Sequence, residues 1–276
     1  MQYEEEFEKL LGLVVRLVES TDGKDIPPDE EWHKYSNAFA VKLVHHLGTA
    51  YYLAKGTNLI LEDKLHQYVD HSSFKVIIRS IIETYLAFYF IIIAPPTNAE
   101  KQFRFKIWQL GGWLERQNSP VITAEGKFKL LSEKAFVEQV LTDVTSDPLY
   151  KKLNQDLKKK AREGEWRLGM GWARLAAIAD INPNYFRAVY RYLCGYAHSG
   201  HLSLFQIKQT ESLENQADHI KHVDGIAVMI MSHFCFAYSG LYPEAEVVLE
   251  ADPEVKFIAD VFHFKSKDME HIYGKG

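Results

Sequence analysis

Arg191 and His198, in the stretch NPNYFRAVYRYLCGYAHSGH, are the residues here whose types and spacing best suit chemistry on a phosphate. Seven residues turn a helix by roughly 700°, about 20° short of two full turns, so both lie on one face. Arg187 falls on the same stripe. The rise places the two about 10 Å apart along the axis, and an Arg side chain leans toward the helix N-terminus, away from the His. They therefore do not touch unless Gly195 loosens the last turn, and a group such as a phosphodiester fits between them. The plainer alternatives are a helix C-terminal His that interacts with the dipole and a solvated Arg191.

A second polar stripe runs through DHSSFKVIIRSIIETYLAFYFIIIA, where Ser72, Lys75, Arg79 and Glu83 recur at helical spacing on an otherwise apolar segment. Removing one partner of a buried ion pair costs roughly 3–5 kcal/mol. Arg79 and Glu83 are thus either a structural pair or the floor of a polar site. Metal chemistry is the rival: the chain has 12 histidines, among them His45, His46, His66, His71, His198 and His201. A helical di-iron centre needs paired Glu-x-x-His motifs with two further Glu. Only Glu30-x-x-His33 has that form, while His198-x-x-His201 and His219-x-x-His222 read as surface pairs, so no metal site and no cofactor is assigned. Glycine loops such as LGMGW lack the strand a dinucleotide fingerprint requires.

The elements that must position these residues read as helices. Tyr3–Glu19 carries an apolar stripe ended by Ser20-Thr21-Asp22-Gly23, Ile26-Pro27-Pro28-Asp29 links onward, and a second helix runs from about Asp29 to Lys55, stopped by Gly56. The central helix spans roughly Leu61 or Lys64 to Ala94, cut off by Pro95-Pro96. An aromatic helix follows Asn98 to about Arg116. Residues 119–147 read as one or two shorter helices with a start near Ser132-Glu133. Asp147-Pro148 and Asn182-Pro183 are cap-then-proline starts. The helix from Pro183 closes at Ser199-Gly200, His201–Thr210 reads as a short extended segment, and one long helix covers Ser212 to about Ser239. Pro243 and Pro253 open short helices, and the tail past Lys265 frays. The expected fold is all-α, a bundle of about seven long helices in one domain, with core helices near 29–55, 64–94, 183–198 and 212–239.

With 47% apolar and 13% aromatic residues the chain has material for a packed core, and its net charge of −5 gives no whole-protein case for nucleic acid. One segment departs from this: Lys151–Arg174 holds eight basic residues against three acidic ones. Lys158, Lys159, Lys160, Arg162 and Arg167, with Trp166 and Trp172 interleaved, make it the candidate for phosphate contact and base stacking, or else a solvated amphipathic helix. Cys194 and Cys235 sit in apolar helical patterns and read as free thiols of a reducing compartment. The acidic start MQYEEEFEKLL is unlike a signal peptide, and the apolar run Tyr85–Ala94 is shorter than the about 20 residues of a membrane span. These point to a cytoplasmic protein with no membrane role.

Two pieces resemble the HEPN superfamily (higher eukaryotes and prokaryotes nucleotide-binding): RSIIETYLAFYF, of the form R-x3-E-x-Y/F, and YRYLCGYAHSG, similar to a Tyr/Arg-x-x-Leu-Ser/Cys-x-x-x-His pattern preceded by a W-x-x-L-A segment, as at Trp172. They cover under a quarter of the chain. Many such proteins are metal-independent ribonucleases of toxin or anti-phage systems with an Arg-x4–6-His motif, which Arg191 and His198 match at its longest spacing. The resemblance implies His198 as general base toward a ribose 2′-OH, Arg191 on the phosphoryl oxygens, and Arg79 and Glu83 in support. It also implies RNA as substrate, a homodimer, and an antitoxin or defence-system partner. Tyr192, where nucleases often carry a small polar residue, and Gly200, where some toxins carry Tyr, depart from the pattern. They leave a second reading, a non-catalytic HEPN-like binding module.

Overall fold

The computed structural model describes residues 1–23 and 30–275. The linker Ile26–Asp29, with the Asp29 helix start, lies outside the described residues. The fold is all-α, with one small two-stranded sheet. In chain order the helices are α1 (Glu4–Glu19), α2 (Trp32–Ala54), α3 (His71–Phe88), α4 (Asn98–Gln117), α5 (Ala124–Ser146), α6 (Pro148–Lys152), α7 (Gln155–Arg162), α8 (Trp172–Ile178), α9 (Pro183–Ala197), α10 (His201–Gln209), α11 (Leu213–Lys221), α12 (Asp224–Ser239), α13 (Pro243–Glu250), α14 (Pro253–Phe262) and α15 (Glu270–Tyr273). Strands β1 (Thr57–Leu61) and β2 (Lys64–Tyr68) pair antiparallel between α2 and α3. Contacts divide the chain into two compact units: Met1–Pro27, His33–Tyr89 and Trp172–Gly276 form the first, and Pro28–Trp32 with Phe90–Gly171 the second.

In the first unit α12 is buried on nearly every side and packs against α1, α3, α13 and α14. On α3, Phe74, Ile78, Ile81, Ile82 and Tyr85 are each at most 2% exposed and each worth roughly 1.5–3 kcal/mol of burial. Beyond Phe88 the helix widens into a π-helical turn, Tyr89–Ile93, before the prolines end it. The second unit is built from α4 to α7 around Phe103, Ile107, Leu110, Val137, Val140, Val144 and Ala161. Two stretches, His71–Ile93 and Leu213–Ser239, are long and apolar enough to cross a membrane, but 61% and 72% of their most apolar windows are buried inside the protein, as in core helices.

Several boundaries differ from the sequence expectation. The central helix does not begin at Leu61 or Lys64, because Glu62 and Asp63 both adopt positive φ (49° and 61°) and close a two-residue hairpin. Asp70 then caps α3, accepting the Ser73 N–H at 2.9 Å. Residues 124–146 form one helix started by Thr123, which accepts the Gly126 N–H, and Ser132 lies inside it. His201–Gln209 is helical, not extended: Leu202, Leu204, Phe205 and Ile207 are all exposed, so their alternation marks no buried face. The 212–239 helix breaks at Val223, where Asp224 turns inward to accept the N–H groups of Gln2 and Tyr3. The tail is not frayed, since Asn182 donates to the Gly274 carbonyl and Asn184 to those of Tyr273 and Lys275.

Candidate functional site

The polar stripe of α3 faces α9 along three rungs. Arg79 Nε donates to Glu83 Oε1 at 2.8 Å, and the same oxygen accepts the Tyr190 hydroxyl at 2.5 Å. Arg79 and Glu83 are 21% and 28% exposed, so the pair is neither buried nor freely solvated. The guanidinium lies 5.3 Å from the Tyr190 ring centre, which in turn stacks on Phe186. Burial, with the Glu83 carboxylate beside it, pushes the Tyr190 phenol well above its ordinary pKa, so Tyr190 stays a donor. Glu83 thus holds Arg79 from one side and Tyr190 from the other.

The middle rung is the contact of Arg79 Nη1 with His198 Nε2 at 3.3 Å. A guanidinium only donates, so Nε2 is the acceptor in this contact. His198 is exposed and forms the C-cap of α9, its N–H bonded to the Cys194 carbonyl. Asn182 fixes the other end of α9, its side-chain oxygen accepting the N–H groups of Asn184 and Tyr185. The arginine that meets the histidine therefore comes from α3. Arg191 is exposed on α9, with no hydrogen bond or ion pair among the described residues, and Arg187 bonds to Asn184.

The third rung was only half legible. Lys75 was visible on the stripe, yet nothing in the sequence marked it as a centre. Its side chain is fully buried. Nζ donates to the Tyr196 hydroxyl at 2.9 Å and approaches His71 Nδ1 at 3.4 Å and His219 Nδ1 at 3.5 Å. The Tyr196 hydroxyl in turn donates a hydrogen bond to the Gln206 side-chain oxygen of α10. Burial lowers Lys75 to a pKa of about 7 and pushes the Tyr196 phenol up. His71 and His219 are stacked at 4.8 Å, and beside His71 a cavity of about 380 Å³ opens between Tyr68, Ile207, Thr210 and Gln216. Among the described residues no group of three or more His, Cys, Asp or Glu is arranged to hold a metal ion.

The basic candidates all belong to the second unit. Lys160 pairs with Asp156 at 2.7 Å, Lys159 with Glu163 at 4.0 Å, and Lys158 lies over Tyr150. Arg162 is exposed, and Arg167 lies 5.9 Å from the ring centre of Trp166. Trp166 itself packs on that unit's hydrophobic core and against Phe90. Its ring is thus engaged in packing. No curated protein and no solved structure matches the chain. One family does, over residues 42–216, well over half of the chain, and it is described as a family of unknown function (DUF5677).

Proposed function

The chain belongs to this family of unknown function, and because that membership carries no chemistry, we propose one from the site: a metal-independent endoribonuclease of toxin or anti-phage type, with His198 as general base and Arg79 on the phosphate. The observation that supports this reading is an exposed imidazole whose lone-pair nitrogen faces a guanidinium held in place by Glu83 and Tyr190. A phosphodiester entering here draws the guanidinium toward its oxygens, because a contact between opposite charges is stronger than the one to the imidazole ring. That frees Nε2 to accept the proton of the neighbouring 2′-OH. The 2′-oxygen attacks phosphorus, the bond to the 5′-oxygen breaks, and water protonates the leaving oxygen, the hydroxide so formed taking the proton held by His198, giving a 2′,3′-cyclic phosphate and a 5′-hydroxyl. Arg191, exposed on the same helix, is a further phosphate contact along the strand. The HEPN resemblance extends the reading to a cytoplasmic homodimer with RNA as substrate and an antitoxin or defence-system partner.

The test is cleavage of a mixed RNA pool in EDTA by wild type, His198→Ala and Arg79→Ala. Cleavage that leaves cyclic phosphate ends and falls by about 10²–10⁴ in either variant supports the assignment. Wild-type protein that leaves RNA intact, or a His198→Ala protein that cuts as well as wild type, overturns it.

A further inference from the structure

An ammonium has three N–H donors and no acceptor, and Lys75 Nζ has three acceptors converging on it, none of them a carboxylate: Tyr196 Oη, His71 Nδ1 and His219 Nδ1. The rings of Tyr196 and Tyr192 add cation–π contacts, with Nζ 4.1 and 5.3 Å from their centres. The cage therefore gathers side chains from α3, α9 and α11, and through Gln206 it reaches α10. Its position matters as much as its make-up. Lys75 lies one turn before Arg79 on α3, and Tyr196 lies two residues before His198 on α9.

We propose that Lys75 is a positioning residue for the Arg79–His198 pair: its buried amine fastens the last turn of α9 to α3 and holds His198 in register with Arg79, and a change in its protonation state alters that register. The inference rests on that pair being the working site, and it names how the site is regulated.

A neutral amine keeps two N–H groups and gains a lone pair, so one of the three acceptors loses its donor and the cation–π attraction disappears. Burial brings this change to about pH 7. The imidazoles do not compete for the proton, because burial and the Lys75 charge hold His219 below its ordinary value and His71 down at about 4. The other charged neighbours act at one remove: Asp70 on His71, and Asp218 and His222 on His219. On α10, His201 and Lys208 are exposed. Arg174 of α8 and Asp224, His233, Cys235 and Tyr238 of α12 make no hydrogen bond to the cage and no ring contact with it.

The experiment is a pH titration of the histidine side-chain nitrogens by NMR across neutrality, on wild type, Lys75→Met and Tyr196→Phe, with His198 assigned by its absence from His198→Ala. The second variant removes one oxygen and keeps the ring, so it serves if Lys75→Met does not fold. The expected result is two inflections in the wild-type His198 signal, of which the variants lose one. A single inflection in wild type, or a second one that survives in both variants, overturns the proposal. RNA cleavage separates the two ideas. An inert wild type with the second inflection leaves the positioning role standing without the nuclease, and an active wild type without it removes only the positioning role.

Discussion

Ser199 stands at a φ of +52°, in the left-handed region, where a β-carbon is unfavourable. It is the residue after the His198 cap, in a turn where the Gly200 N–H reaches back to the Gly195 carbonyl at 2.7 Å and the Ser199 N–H to that of Tyr196 at 3.4 Å. Replacing Ser199 with Gly is therefore expected to stabilise the protein by about 0.5–1 kcal/mol, read as a higher urea midpoint with an unchanged slope. Lys75 carries a larger effect with the opposite origin. Its pKa falls from 10.5 to about 7 on folding, so between those values the unfolded chain holds the proton that the folded chain releases. Wild-type stability then falls as pH is lowered through that window and is lowest below it. Lys75→Met lacks this dependence. Its stability relative to wild type should improve on going from alkaline to neutral pH by on the order of 5 kcal/mol, offset by a constant cost for the acceptors left without a donor. Parallel unfolding curves for the two proteins at all pH values would refute this. The spacing of Arg79 and Glu83 was readable because one helix sets it. That Arg79 reaches His198 depends on how α3 meets α9, which lies in no single stretch of residues.

Element boundaries were legible at the proline starts and at one glycine stop. Asp147-Pro148, Asn182-Pro183, Pro243 and Pro253 all start helices as read, and Gly56, at φ +86°, stops α2. Some errors were local, at the Glu62-Asp63 hairpin and the Thr123 cap, and others came where distant contacts decide. The break before α12 exists because the Asp224 carboxylate accepts N–H groups from Gln2, Tyr3 and Gly225, so Asp224→Ala is expected to cost about 2 kcal/mol. Amide exchange should then quicken at the start of α1, and unchanged exchange there would show that α1 is held by packing alone. In the second unit, α4 and the turn after α7 approach so closely that a β-carbon on Gly111 would lie 2.3 Å from the Gly164 carbonyl oxygen. Backbone cannot yield as a side chain does. Gly111→Ala should destabilise by about 1–3 kcal/mol, measured as a drop in thermal midpoint, while Gly112→Ala, which meets nothing within 4 Å, should not.

At the scale of the whole molecule, composition and periodicity were enough for the all-α class, because long apolar stripes at helical spacing leave few alternatives. The division into two compact units was not legible, since no change of composition marks Tyr89 or Trp172. Acid sensitivity follows from burial. His71 and His233 are each 3% exposed and held to a pKa of about 4. The unfolded chain takes up those protons first as pH falls below the ordinary imidazole value, so stability is lost progressively from there down to about pH 4. Urea midpoints should drop between neutrality and mild acid, and His233→Gln should flatten part of that slope. The C-terminal tail adds something of practical weight. Asn182 and Asn184, which open the helix ending at His198, donate to carbonyls of Tyr273, Gly274 and Lys275. Truncation before Tyr273 removes these contacts and therefore acts on α9 from its first turn, far along the chain from the His198 that closes it.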